Sequence, residues 1–291
     1  MNTTAHPPLT TVWRQWLVDN LQRGCTQESL VAAMLNNQFS SATATFHIAQ
    51  VTAELSNKAH KPAAVENPAA AEKYRYEASR IASGNTLNVT DRAVSVSMRL
   101  AQPDIVAFDH FMSRAECERL IADSIEKVER SGVVDPETGK TIIIPARSSE
   151  GCYFQRDENA FIQQLDARIS AVMNWPIDHG EGIQILHYTN GGEYRPHFDY
   201  FPVEQSGSAT HLAKGGQRVA TFIMYLNDVE AGGETVFPNV GLNIVPRQGS
   251  AVYFSYVNSL GQIDPATLHG GAPVIAGEKW IATKWMRQEK Y

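Results

Sequence analysis

Nowhere does this chain carry about 18 or more consecutive apolar residues, so no helix long and apolar enough to span a bilayer is encoded. The start, Met1-Asn2-Thr3-Thr4-Ala5-His6-Pro7-Pro8, lacks a basic segment followed by an apolar run, and a cytoplasmic protein is the expectation. Cysteine is scarce. Cys25, Cys117 and Cys152 are an odd count at wide spacing, which suits a reducing compartment, argues against a disulfide framework and offers no zinc spacing. Lysine and arginine form no long cluster and the formal charge is −6, which argues against nucleic acid or an anionic membrane as partner. Internal repeats are also absent.

What is present is a chain of 291 residues, 43% hydrophobic and 19% charged, enough for one large domain and a smaller one. Between Thr10 and Leu55, Val12, Trp13, Trp16, Leu17 and Leu21 recur near helical spacing. Thr26 with Ser29, ahead of Leu30-Val31-Ala32-Ala33-Met34-Leu35, marks a helix start. This apolar stripe either packs on the rest of the chain or offers a partner surface, which leaves a homodimer open. From Asn57 to Lys73 the composition shifts to Ala, Pro, Lys and Asn, a linker leading into a short helix through Tyr76 and Ile81. Residues 1–82 are therefore expected to form an N-terminal helical module and linker, and residues 83–291 the main domain.

After Ser83-Gly84-Asn85 the period becomes two. Val94, Val96, Met98 and Leu100 alternate with Ser95, Ser97 and Arg99, the pattern of a strand with one buried face. A helix is expected from Ser113 to Glu129, with Cys117, Leu120, Ile121, Ile125 and Val128 on one stripe. Asp135-Pro136-Glu137-Thr138-Gly139-Lys140 reads as a turn between Val133-Val134 and Thr141-Ile142-Ile143-Ile144. Short punctuated strands continue to the end, as in a mainly β barrel or sandwich with helices packed outside. The polar loop from Pro202 to Gly216 is either a lid or an inert insertion, and His211 within it has no ligand spacing.

Chemistry concentrates in Tyr194-Arg195-Pro196-His197-Phe198-Asp199, with His269 and Lys279 downstream. In an extended strand alternate residues share a face, so His197 and Asp199 present an imidazole and a carboxylate to one point. A His-x-Asp pair by itself is more often a plain hydrogen-bonded pair than a metal site. Joined by His269 it makes the two-histidine, one-carboxylate facial set of non-haem iron(II) oxygenases, whose open positions take cosubstrate and oxygen. Lys279 lies in Gly277-Glu278-Lys279-Trp280-Ile281-Ala282-Thr283-Lys284-Trp285, where alternation turns it inward among apolar neighbours. A buried lysine needs an anion. The residues alone do not separate iron from manganese or cobalt.

The segments Gln184 to Phe201, Gly216-Gln217-Arg218-Val219-Ala220-Thr221 through Tyr225-Leu226-Asn227, Gly232-Gly233-Glu234-Thr235, and His269 to Trp285 together resemble the prolyl 4-hydroxylase family of 2-oxoglutarate and iron(II) dependent dioxygenases, in particular its small soluble bacterial and algal members. The likeness covers roughly residues 101 to 288, with Phe111-Met112-Ser113-Arg114-Ala115-Glu116-Cys117-Glu118 similar to the start of the family's first helix. It implies a double-stranded β-helix, or jelly roll, with packed helices, so that the whole chain reads as mainly β plus a small N-terminal helical module. It implies iron(II), 2-oxoglutarate and O2, with ascorbate as an accessory reductant. His197, Asp199 and His269 would then be the iron ligands and the catalytic set, and the presence of Asp199 favours hydroxylation over halogenation.

By the same resemblance, Lys279 would pair with the far carboxylate of 2-oxoglutarate, helped by the hydroxyls of Tyr188 and Thr235. Tyr194, Arg218 and Trp285 match positions that face the peptide substrate. Arg147-Ser148-Ser149 is similar to the family's arginine, threonine, serine strand, with serine for threonine at 148. The implied reaction is hydroxylation of proline in a peptide or protein, with 2-oxoglutarate decarboxylated to succinate. Hydroxylation of a free amino acid or small cyclic imino acid is the alternative within the chemistry, and a catalytically silent β-barrel binding module the alternative outside it.

Overall fold

The computed structural model describes residues 9–22, 27–36, 39–59, 73–134, 140–142 and 147–291. Cys25, Thr26, the linker residues 60–72, the turn residues 135–139 and Ile143-Ile144 lie outside the described residues. The chain forms two compact units, 1–72 and 73–291.

The first unit consists of α1 (Thr11–Gln22), α2 (Gln27–Asn36) and α3 (Ser41–Ala59). Leu17 of α1, Leu30 and Met34 of α2, and Ala44, Ile48 and Val51 of α3 bury one another, and Trp13 meets Trp16 and Phe39 edge-on. The apolar stripe thus closes a core inside this unit. Ser40 starts α3 by accepting the Thr43 amide at 3.1 Å.

The boundary differs from the one read from sequence. Residues 73–82 belong to the second unit, and Tyr76 and Ile81 lie in no helix. They are extended along residues 258–264: the Arg75 amide donates to the Gln262 side chain at 3.0 Å, the Ser259 amide to Glu77 at 3.1 Å, and the Tyr76 hydroxyl to Asp264 at 3.3 Å. These partners lie far away in sequence, where composition gives no sign of them.

The second unit opens with β1 (Thr86–Val89), β2 (Arg92–Ala101) and β3 (Asp104–Asp109). Along β2, Val94 is buried and Val96, Met98 and Leu100 half-buried, as the alternation requires. A capping box between Ser113 and Glu116 starts α4 (Arg114–Ala122). The helix stops at Ala122 rather than Glu129: the Ser124 hydroxyl donates to the Leu120 carbonyl at 2.6 Å, and the chain continues in turns to β4 (Glu129–Arg130). Then come β5 (Val133–Val134) paired with β6 (Thr141–Ile142), β7 (Glu150–Phe154) and α5 (Ala160–Met173), which is capped by Asn159 and ended by Asn174 in the left-handed region. The sequence reading passed over α5.

The remaining elements are β8 (Gly180–Tyr188), β9 (Tyr194–His197), α6 (Ser208–Leu212), β10 (Arg218–Tyr225), β11 (Ala231–Gly232), β12 (Thr235–Phe237), β13 (Leu242–Ile244), β14 (Ala251–Ser255), β15 (His269–Gly271), β16 (Val274–Ala276) and β17 (Lys279–Arg287). Besides the two-stranded pairs β5-β6 and β11-β16, two larger antiparallel sheets form, β1-β2-β3-β14-β10-β17-β8-β7-β4 and β13-β12-β15-β9. The chain passes from one to the other and back between β8 and β17, leaving β14-β10-β17-β8 facing β13-β12-β15-β9. This is the double-stranded β-helix, or jelly roll.

Period-two patterning assigns each strand's two faces. On β10, Ala220, Phe222 and Met224 join the core that includes Phe161, Leu165 and Ile169 of α5, while Ile223 and Tyr225 belong to the core between the sheets. On β17, Ala282 and Met286 belong to the first core, whereas Lys279, Ile281, Thr283 and Trp285 line a cavity inside the roll. Buried on both faces, β17 reads as an apolar run interrupted by two lysines. No helix among the described residues is long and apolar enough to cross a membrane.

Candidate active site

The cavity inside the roll has a volume of about 800 Å³. His197, Asp199, His269, Lys279, Tyr188, Thr235, Tyr194, Arg218 and Trp285 all line it. Every site residue singled out in the sequence is therefore brought to one place.

His197 ends β9, and Asp199 follows two residues later on the same side. His269 begins β15 and is the register partner of His197. The acid oxygens approach both rings: His197 Nε2 lies 3.5 Å from Asp199 Oδ1, and His269 Nε2 lies 3.4 Å from Asp199 Oδ2. Each ring is fixed from behind, His197 Nδ1 by the Arg195 carbonyl at 2.9 Å and His269 Nδ1 by the Thr267 carbonyl at 3.0 Å. A carbonyl only accepts, so each Nδ1 carries the proton and each Nε2 turns its lone pair to the shared point. One donor atom from each of the three residues lies within 4.8 Å of the others.

Electrostatics favour a cation there. Burial opposes the charge on Asp199, but a proton on either facing imidazole, His269 above all, outweighs it and holds its carboxyl well below the usual carboxylate range, an attraction that a cation seated between neutral rings would supply in the proton's place. Burial, then the second imidazole, pushes the His197 pKa down, so this ring stays neutral and able to ligate. Aromatic rings shield the site: Tyr194 stacks on His197 at 3.7 Å, and Phe254 lies 4.5 Å from His269. The donor set fits iron(II), being two neutral nitrogens and one anionic oxygen, with their backs tied to the backbone.

Lys279 stands across the paired strands from Tyr188. Its Nζ lies 5.6 Å from the Tyr188 ring centre and 5.9 Å from that of Tyr225, whose hydroxyl donates to Thr235 Oγ1 at 2.7 Å. Burial drives the lysine pKa down to about 8, only partly offset by Glu234 at longer range. Among the described residues no carboxylate forms an ion pair with it, although it is 2% exposed. A small anion entering the cavity would find an ammonium and hydroxyl groups already gathered.

Three of the expected substrate-facing residues sit deeper than a surface rim. The Arg218 guanidinium makes a two-pronged pair with Glu181 at 2.6 and 2.8 Å and lies 3.9 Å over the Trp285 ring. Burial works against its charge, yet Glu181 more than compensates and keeps it protonated. Arg218 is thus a neutralised, immobilised guanidinium rather than a free surface charge. Tyr194, its phenol pushed up to about 12 by burial, is sandwiched between His197 and Arg147, whose guanidinium lies 4.7 Å over the ring.

Arg147 is buried and donates to Ser149 Oγ at 3.1 Å and to the Gly132 carbonyl at 2.9 Å. Ser148 Oγ accepts the Glu193 amide at 2.8 Å, a bond that a threonine hydroxyl would equally make. The loop 202–216 contributes Pro202, Gln205 and Ser208 to the cavity wall. It contains α6 and is tied down: Arg287 donates to the carbonyls of His211 and Lys214, the Glu289 amide donates to the Gly215 carbonyl at 2.9 Å, and His211 stacks on Phe201.

The sequence reading missed Glu181, Thr221 and Tyr256. Thr221 Oγ1 donates to Asp199 Oδ2 at 2.6 Å and lies 3.3 Å from the Tyr256 hydroxyl. Only the inward phase of β10 could have pointed to Thr221; nothing in the sequence marks the other two.

Comparison with known proteins agrees with this geometry. A profile described as the 2OG-Fe(II) oxygenase superfamily matches residues 183–287. "Probable prolyl 4-hydroxylase 3" of Arabidopsis thaliana is 40% identical over 209 residues, 65% of this chain and 71% of that protein. Prolyl 4-hydroxylase 1 of the same plant is 39% identical over 217 residues, 69% of this chain and 73% of that protein. The crystal structure of a viral collagen prolyl hydroxylase from Paramecium bursaria Chlorella virus-1, in complex with 2OG, aligns with a TM-score of 0.49 at 28% identity, over 63% of this chain and 95% of that one. Enzymes of the superfamily use iron(II), 2-oxoglutarate and O2. At this level of identity across most of its relatives' length, the chain belongs to the prolyl 4-hydroxylase family of 2-oxoglutarate- and iron(II)-dependent dioxygenases.

Proposed function

We propose that this chain hydroxylates proline within a peptide or protein, using His197, Asp199 and His269 to hold iron(II) and Lys279 to hold the far carboxylate of 2-oxoglutarate. The observation that carries the reading is the coexistence, in one cavity, of three converging ligand atoms and a buried ammonium without an ion-pair partner among the described residues. Iron would supply the redox chemistry, activating O2 with electrons from 2-oxoglutarate, which is decarboxylated to succinate.

The chain's own residues would do the rest. The Tyr188 and Thr235 hydroxyls, which line the same cavity as Lys279, would help satisfy the cosubstrate anion. The walls of Phe254, Phe237 and Tyr194 around the two imidazoles exclude water from the ligand side of the site. Tyr194, Arg147, Arg218 and Trp285 present aromatic and guanidinium faces to the remaining space, a surface that suits an extended, proline-rich ligand. A cavity of about 800 Å³ exceeds what one cosubstrate and one free imino acid fill, which favours a peptide.

The test is mass spectrometry of a proline-rich peptide incubated with iron-loaded protein, 2-oxoglutarate and air. The reading expects a gain of one oxygen on the peptide, matched by succinate, and no such gain on free proline. Oxidation of free proline but not of the peptide would overturn the substrate assignment, and absence of succinate with either would overturn the chemistry.

A further inference from the structure

The two oxygens of Asp199 have different surroundings. Each faces one imidazole, Oδ1 at 3.5 Å from His197 Nε2 and Oδ2 at 3.4 Å from His269 Nε2, but only Oδ2 also accepts the Thr221 hydroxyl, at 2.6 Å. An O–H donating to an ionised oxygen at that distance is among the stronger hydrogen bonds a protein makes. Thr221 is fully buried in the middle of β10, with register partners Phe254 and Trp285, so its rotation is limited by packing on both sides. Its single proton is committed to Asp199, so the Tyr256 phenol, 3.3 Å away and buried, supplies the proton of their contact.

We propose that Thr221, backed by Tyr256, is a positioning residue that occupies Asp199 Oδ2 and thereby restricts the carboxylate to one-oxygen ligation through Oδ1. The inference rests on the metal-site reading above and extends it. Carboxylates bind cations through one oxygen or both. Two imidazoles and one carboxylate oxygen would hold the ion and leave its other positions for the cosubstrate and dioxygen. A second carboxylate oxygen would take one of those positions. The Thr221 bond makes that second contact unfavourable, because Oδ2 would have to give up its donor and strand the buried hydroxyl.

The test uses the full chain loaded with manganese(II), and reads 2-oxoglutarate affinity by calorimetry. Thr221→Val keeps the shape and removes the donor; Thr221→Ser keeps the donor. Loss of a hydrogen-bond partner to a metal ligand typically changes metal affinity or activity about 10- to 100-fold, so at manganese saturating for each variant Thr221→Val is expected to bind 2-oxoglutarate about tenfold more weakly. Thr221→Ser should match the parent chain, and without metal all three should bind alike, since Lys279 is untouched. Equal affinity of Thr221→Val and the parent, or an equal loss in Thr221→Ser, would overturn the proposal. Should Thr221→Val not fold, Thr221→Ala carries the test: a weakening of about tenfold supports the proposal and unchanged affinity refutes it. A parent chain that binds no 2-oxoglutarate when loaded with manganese would instead overturn the metal-site reading itself.

Discussion

His197 and His269 are register partners on antiparallel strands β9 and β15, their rings 4.6 Å apart and inclined at 53°. Each is oriented by the same local device, a bond from Nδ1 to the carbonyl two residues earlier in its own strand or approach. Strand pairing sets the distance and the backbone sets the tautomer, so the ligand geometry is built before any cation arrives.

Replacing His197, Asp199 or His269 by alanine is expected to lower manganese(II) affinity by at least about 100-fold, since even partners one bond removed from the metal are worth 10- to 100-fold. Equilibrium titration checks this, with far-ultraviolet circular dichroism confirming that the fold is retained.

Lys279 makes cosubstrate binding depend on pH. With its pKa pushed down to about 8 by burial, the free protein carries the ammonium below that pH and loses it above. Affinity for 2-oxoglutarate should be level below about pH 8 and weaken by up to about tenfold per pH unit above it. Stability of the ligand-free chain moves oppositely. The unfolded lysine keeps its proton up to about 10.5, so between about 8 and 10.5 the unfolded state holds more protons and this residue's contribution to stability rises with pH. Calorimetry from pH 7 to pH 9.5 reads the first effect, and Lys279→Met should abolish it.

The two lysines of β17 are expected to answer mutation differently. Lys284 pairs with Asp166 at 2.6 Å on the α5 side of the sheet, both 1% exposed at the side chain. Lys284→Ala strands a buried carboxylate and should cost about 3–5 kcal/mol. Lys279→Met removes an unpaired buried charge and should leave the ligand-free chain at pH 7 equally or more stable. Chemical denaturation of the two variants separates them.

Glu181 should matter more to stability than an acid on the surface. Glu181→Ala leaves the half-buried Arg218 guanidinium without its two-pronged partner and is expected to cost about 1–3 kcal/mol. Glu54→Ala, which breaks the exposed pair with Arg14, should cost about 0–1 kcal/mol. Denaturation midpoints compare them directly.

These residues also show what the sequence makes legible. Lys279 follows from alternation along a strand, and His197, Asp199 and His269 from ligand chemistry, although β9 ends at His197 and Asp199 lies in the bend after it, not in the strand that the alternation assumed. The partners were not legible. Glu181 and Arg218 meet across sheet registers, Thr221 reaches from β10 to Asp199 in the bend after β9, and residues 73–82 find their contacts at 258–264. The motif Lys279-Trp280-Ile281-Ala282-Thr283-Lys284 shows the limit plainly: the positions are five apart, so period two puts the lysines on opposite faces, but which face holds the site is decided by where α5 packs. Helix ends follow the same logic. The start at Ser113 was visible, whereas the stop at Ala122 was not.

The most direct measurement is a crystal structure of the chain with manganese(II) and 2-oxoglutarate. The account predicts one ion bound by His197 Nε2, His269 Nε2 and a single Asp199 oxygen, with the far carboxylate of 2-oxoglutarate on Lys279 Nζ. An ion held elsewhere, or a cosubstrate whose far carboxylate avoids Lys279, would contradict it.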